Sequence, residues 1–147
     1  MSSYLDSMKS LVEEAREWLG TPWHHNQKAK RKGVDCIRFV ESLAESQGIE
    51  IGFIPAHYTR STQDERLLEF LRDRCLEKPC NLDNIKDGDI IVLRYLGVPH
   101  HLAIASTLPD GRRGIIHASE DGVVEQGFEG RLLLIWVGLF SLKARIL

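Results

Sequence analysis

Cysteine is scarce in this chain: Cys36, Cys75 and Cys80 are the three present, and none forms a CxxC pair. An odd, widely spaced set argues against a disulfide framework and against a thiolate-rich zinc site. An excess of one charge is also missing. Nineteen Lys and Arg stand against 21 Asp and Glu, a formal net charge of -2. That balance leaves no bulk attraction for nucleic acid or for an anionic membrane, and neither is expected as a partner. The basic run Lys28-Ala29-Lys30-Arg31-Lys32 is a local exception, read as a solvated loop. No segment approaches the ~20 apolar residues of a membrane-spanning helix. The opening MSSYLDSMKS lacks the positive start and apolar stretch of a secretory signal, so synthesis in the cytoplasm with reduced thiols is expected. What remains is an ordinary globular balance, 43% hydrophobic and 27% charged over 147 residues. One domain spanning 1–147 is expected, with a core that needs no staples.

The chain divides into a helical first half and a strand-rich second half. Leu5, Met8, Leu11, Val12, Ala15 and Leu19 recur at helical spacing, and Gly20 with Pro22 stops that helix. Residues 21–33 show no apolar periodicity and read as a polar loop carrying Trp23, His24, His25 and Asn26. A second helix begins near Asp35, with Phe39, Val40, Leu43 and Ala44 as its core face and Gly48 as its C-terminal cap. Thr62 and Glu65 have capping-box spacing ahead of a third helix through Leu67, Leu68 and Leu71. After Pro79 come five short segments rich in Ile, Val and Leu: 89–95, 102–107, 114–118, 123–127 and 132–140. Pro109-Asp110-Gly111 and Asp121-Gly122 separate them as hairpin turns. The order predicts an α+β fold, with N-terminal helices packed on a C-terminal antiparallel meander.

Cys36 follows the loop-like Gly33-Val34-Asp35 and precedes an amphipathic helix. Its sulfur is therefore expected at a helix N-terminus, where the dipole and unpaired N–H groups favour an anion. Such placement beside a cationic His lowers a thiol from about 8.5 into a reactive range. A nucleophilic Cys also needs a base in hydrogen-bond reach and a third group to orient that base. His101 starts one predicted strand and His117 ends the next, so adjacent antiparallel strands can bring the rings together. The plainer reading of either histidine is a solvent-facing strand end. Of the other candidates, His24, His25 and His100 invite a zinc site with Cys36. Adjacent histidines rarely ligate one ion together, so no metal and no cofactor is expected. Cys75 reads as the apolar side of the third helix and Cys80 as part of a turn. His57 and Tyr58 near Pro55 read as part of a substrate wall.

The phrases Trp18-Leu19-Gly20-Thr21-Pro22-Trp23 and Gly33-Val34-Asp35-Cys36 resemble the opening motif of the NlpC-type cell-wall peptidases. Asp87-Gly88-Asp89-Ile90-Ile91-Val92-Leu93, His101-Leu102-Ala103-Ile104 and Ile115-Ile116-His117-Ala118 are similar to that family's later strands, in the same order, over residues 11 to 140. The resemblance implies a papain-like fold with Cys36 as nucleophile, His101 as general base and His117 as orienting residue. It implies hydrolysis of amide bonds in peptidoglycan stem peptides. The phrases TPWHHNQ and DCI look closer to the phage and gene-transfer-agent tail branch. That likeness implies tail proteins as partners and delivery to the cell wall in a phage-like particle. Trp23, His25, Asp35 and Arg38 are the residues expected near substrate. Arg38 stands where the family usually has Gly, which bears on substrate identity more than on the nucleophile, and Trp23 stands where relatives often carry Tyr. Two rivals share the scaffold: a thiol acyl-transfer enzyme or amidase with another substrate, and an inert tail or wall-binding module.

Overall fold

The computed structural model describes residues 9–52, 65–95 and 98–142, with the backbone alone for residues 95 and 98–100. Helix α1 (Leu11–Arg16) is opened by Ser10, whose hydroxyl accepts the Glu13 N–H at 3.1 Å. It buries Val12 and Ala15 and unwinds into turns before Gly20, which has a φ of +85°. Leu5 and Met8 of the expected helix lie outside the described residues. The stretch 21–33, expected as loop, contains a small hairpin of β1 (Lys28–Ala29) and β2 (Gly33–Val34). Two-residue strands carry no periodicity, so no sequence pattern announces them.

Helix α2 (Cys36–Ser46) buries Ile37, Phe39, Val40, Leu43 and Ala44, the expected stripe. It ends in a Schellman motif: Gly48, at φ +76°, donates to the Glu45 carbonyl, and Ile49 donates to that of Ala44. Helix α3 (Arg66–Arg74) buries Leu67, Leu68 and Leu71. Glu65 sits at its N-cap without a side-chain capping bond, and Thr62 lies outside the described residues. Cys75 follows the helix as its buried C-cap residue rather than lying within it.

The sheet has six strands: β3 (Leu76–Lys78), β4 (Ile90–Tyr95), β5 (Val98–Thr107), β6 (Arg113–Ser119), β7 (Gly122–Gly127) and β8 (Trp136–Ser141). All neighbours are antiparallel, in the order β3-β8-β4-β5-β6-β7. Only β4 to β7 form the expected meander. The last strand returns between β3 and β4, because its side chains are apolar toward both faces: Phe140 toward the helices, Leu139 and Trp136 away from them. An inner position covers both faces and an edge would not. The segment 132–140 is also not one strand. Arg131–Leu134 forms a helical turn, α4, introduced by Gly130 at φ +61°.

The sheet is covered on both sides. Ile90, Val92, Leu102, Ile104, Ile116 and Phe140 pack against the helices. Ile91, Leu93, Ala103, Ala105, Ile115 and Leu139 pack beneath Phe128 and the 132–136 segment. Successive β4 residues thus alternate between two cores, which explains a run as apolar as Ile90-Ile91-Val92-Leu93. The α+β class expected from the sequence holds, with a six-stranded sheet in place of five.

Candidate active site

Asp35 is the hinge between the polar loop and α2. One carboxylate oxygen accepts the Arg38 N–H at 2.8 Å as the helix N-cap, and the other accepts the Asn26 N–H. Buried at 3% exposure, Asp35 spends both oxygens on backbone donors. The loop is tied down elsewhere as well. Trp23 bridges Val34, and Val34 donates to the Pro22 carbonyl at 3.0 Å. Gly33 allows the side chains of His24 and Gln27 to lie against its backbone, where a Cβ would meet Gln27 Oε1 at 2.3 Å. Gly20 and Thr21 exchange backbone hydrogen bonds with Val123 on β7, so the loop is joined to the far side of the sheet.

These ties set Cys36 as the first residue of α2, half-buried, with its sulfur near its own N–H and that of Ile37. A third N–H, that of Leu102, also donates to the sulfur. The strand geometry explains why that donor is available. Ala105 exchanges backbone bonds with the Gly88–Asp89 segment, so Leu102 and Ile104 direct theirs toward β6. Pairing of β5 with β6 runs from Thr107↔Arg113 only to Ile104↔Ile116. Beyond it β6 continues along β7 alone, and Leu102 is left without a strand partner on that side. The Cys36 sulfur takes the vacated donor. It therefore lies against the peptide group that joins His101 to Leu102.

His101 stands where β5 carries an extra residue: Leu93 pairs with His101 but Arg94 with Pro99, leaving His100 as a bulge. Bulges re-aim the side chains beside them. The His101 Nε2 and His117 Nδ1 atoms are 2.7 Å apart, with the rings edge to face at 87°. His117 is 7% exposed, and its Nε2 lies 2.7 Å from Gln126 Oε1 on β7. Gln126 pairs with Ile115, two residues before His117, so both project from one face of the sheet. Sequence reasoning missed Gln126. Its only signal is its register across the Asp121-Gly122 hairpin, diagonal to His117.

Burial governs the electrostatics. It pushes the Cys36 thiol up to about 12; the Asp35 carboxylate adds to the rise, and the three N–H groups oppose it. Burial also holds His117 below the usual imidazole range, partly offset by its bond to Gln126. The structure thus brings Cys36, His101 and His117 to one end of the β5–β6 gap. The remaining expected site residues are distributed around the loop. Trp23 is half-buried with its ring 6.4 Å from that of exposed His25. Arg38 is turned aside: its Nε donates to Asn26 Oδ1 and its Nη1 to both oxygens of Glu41. Lys28 reaches the same Glu41 and also Glu45, so Arg38 belongs to an ionic network along α2. His57, Tyr58 and the side chain of His100 lie outside the described residues. Among the described residues, no three His, Cys, Asp or Glu side chains are grouped to hold a metal ion.

Solved structures with the same architecture carry a common description. One is an NlpC/P60 family protein from Bacillus cereus, with a TM-score of 0.61 and 20% identity. The fold is that of an NlpC/P60 domain. The match covers 88% of this chain and 38% of that one. A Staphylococcus aureus protein described as similar to a lipoprotein of the NLP/P60 family gives 0.61 at 16% identity, covering 93% of this chain and 41% of that one. The NlpC/p60 domain of the peptidoglycan hydrolase SagA gives 0.59 at 20% identity, covering 90% of this chain and 96% of the domain. This chain therefore spans about two fifths of the first two proteins and nearly all of the third. No protein-family model matches the sequence, and no curated protein does.

Proposed function

We propose that this chain is a cysteine hydrolase that cleaves amide bonds in peptidoglycan stem peptides. The observation that carries the reading is the Cys36 sulfur at the start of α2, against the His101–Leu102 peptide, with His101 in contact with His117. His101 takes the thiol proton as the sulfur attacks the scissile carbonyl, forming a C–S bond. The tetrahedral oxyanion is met by backbone N–H groups at the helix N-terminus. Collapse breaks the C–N bond, and the imidazolium returns its proton to the leaving amine. Water activated by His101 then hydrolyses the thioester and frees the thiol. Trp23 and His25 form an aromatic wall for the peptide, while Asp35 and Arg38 act from behind by holding the loop. The peptidoglycan target is supported by the shared fold and by the sequence resemblance. The likeness to the tail-associated branch supports delivery in a phage-like particle.

One observation favours a second reading, a wall-binding module without turnover: burial pushes the Cys36 thiol up to about 12. Digestion separates the two. Purified peptidoglycan treated with the protein should yield fragments with new amines by mass spectrometry. Cys36→Ala should yield none while keeping the wild-type circular dichroism spectrum. A wild-type digest identical to that of Cys36→Ala would overturn the hydrolase.

A further inference from the structure

We infer that Gln126 is a positioning residue whose carboxamide oxygen sets the tautomer of His117 and, through it, that of His101. For its effect on rate this rests on the hydrolase reading, but the proton arrangement itself does not. Three groups stand in line: Gln126 Oε1 to His117 Nε2 at 2.7 Å, and His117 Nδ1 to His101 Nε2 at 2.7 Å. A carbonyl oxygen only accepts, so His117 Nε2 must carry a hydrogen. A neutral imidazole has one ring hydrogen, which leaves His117 Nδ1 bare. That bare nitrogen accepts, so His101 donates from Nε2. The lone pair of His101 is then on Nδ1, its one nitrogen not turned to His117.

Reversing the carboxamide reverses every proton at identical distances. An amide NH2 facing His117 would put hydrogens on Nδ1 of both rings, and the one lone pair of His101, on Nε2, would then be held by the His117 N–H rather than open to the thiol proton. The direction of a single exposed amide thus decides whether His101 is a base. The backbone fixes where that amide starts. Gln126 is held in register with Ile115, diagonal to His117, and β6 and β7 stay paired across the whole hairpin from Gly114↔Gly127 to Ser119↔Gly122. The buried position of His117, at 7% exposure, keeps this ring neutral and so forces the one-hydrogen count on which the chain depends.

Long-range 1H–15N NMR of the imidazoles reads the tautomers directly. In the wild type, both His117 and His101 should carry their hydrogen on Nε2. Gln126→Lys, which can only donate, should move both hydrogens to Nδ1 and lower kcat on peptidoglycan fragments by roughly 100-fold with KM little changed. Gln126→Glu, which can only accept when ionised, should keep the wild-type tautomers and hold kcat within about tenfold of wild type. A merely structural role would treat the two variants alike. A wild-type His117 protonated on Nδ1, or a Gln126→Lys protein with unchanged tautomers, would overturn the inference. A wild type that cleaves nothing yet shows both Nε2 hydrogens would instead overturn the hydrolase and leave the tautomer assignment standing.

Discussion

Cys36 carries two opposed influences, and their balance is measurable. Burial, with Asp35 adding to it and the backbone N–H groups opposing it, pushes its thiol up to about 12, where only about 10⁻⁵ of it would ionise at pH 7. In the proposed mechanism, proton transfer to His101 would replace a lone buried anion with an ion pair, which burial penalises far less. The rate of iodoacetamide alkylation of Cys36, followed by peptide mass in a Cys80→Ser background because Cys80 is exposed, should rise with a midpoint at or below ~8.5. His101→Ala should move that midpoint upward; a midpoint near 12 in the wild type would mean that no imidazole assists. His117 makes a second prediction. Its folded pKa lies below the unfolded value, so between the two the unfolded chain binds the extra proton. Stability is therefore retained above about 6.5 and declines as pH falls from there toward the folded value. Urea midpoints compared between pH 7.5 and 5.5 should drop less in His117→Gln than in the wild type.

At the scale of elements, the start of α2 is the critical joint. Asp35 caps the helix and pins Asn26 with the same carboxylate, so the loop and the Cys36 backbone share one anchor. Asp35→Ala should cost about 1–2 kcal/mol by the lost cap, read from chemical denaturation. It should also lower activity by more than the unfolded fraction explains, because the sulfur shifts relative to β5. Equal losses of folding and activity would confine Asp35 to stability. The second important element is a missing piece of pairing. Because β5 and β6 part beyond Ile104↔Ile116, the Leu102 amide is available to sulfur rather than to a strand. The bulge at His100 lies on the other side of the same residue pair. Two local breaks in the sheet thus flank His101.

Across the whole molecule, the sheet joins two cores, and β8 is the strand that locks them. Phe140 is fully buried against the helices and Leu139 fully buried on the opposite face. Phe140→Ala should destabilise by about 3–5 kcal/mol, seen as a lowered denaturant midpoint; a loss under 1 kcal/mol would contradict this packing. Much of the architecture was legible beforehand. Helical spacing marked α2 and its Gly48 cap, short Ile-, Val- and Leu-rich segments between turn signals marked β4 to β7, and the Gly-x-Asp-Cys phrase singled out Cys36 at a helix start. Those features are local, since propensity, caps and turns depend on residues a few positions apart. What the amino-acid order alone determined was therefore which of the longer, strongly patterned segments become helix or strand and which side chains are chemically able to react. Tertiary structure alone decided the insertion of β8, the parting of β5 from β6, the diversion of Arg38 to Glu41, and the line from His101 through His117 to Gln126. Apart from Arg38, which meets Glu41 one turn along its own helix, each of these arises from strand pairing, where the register of one strand on another sets which atoms meet.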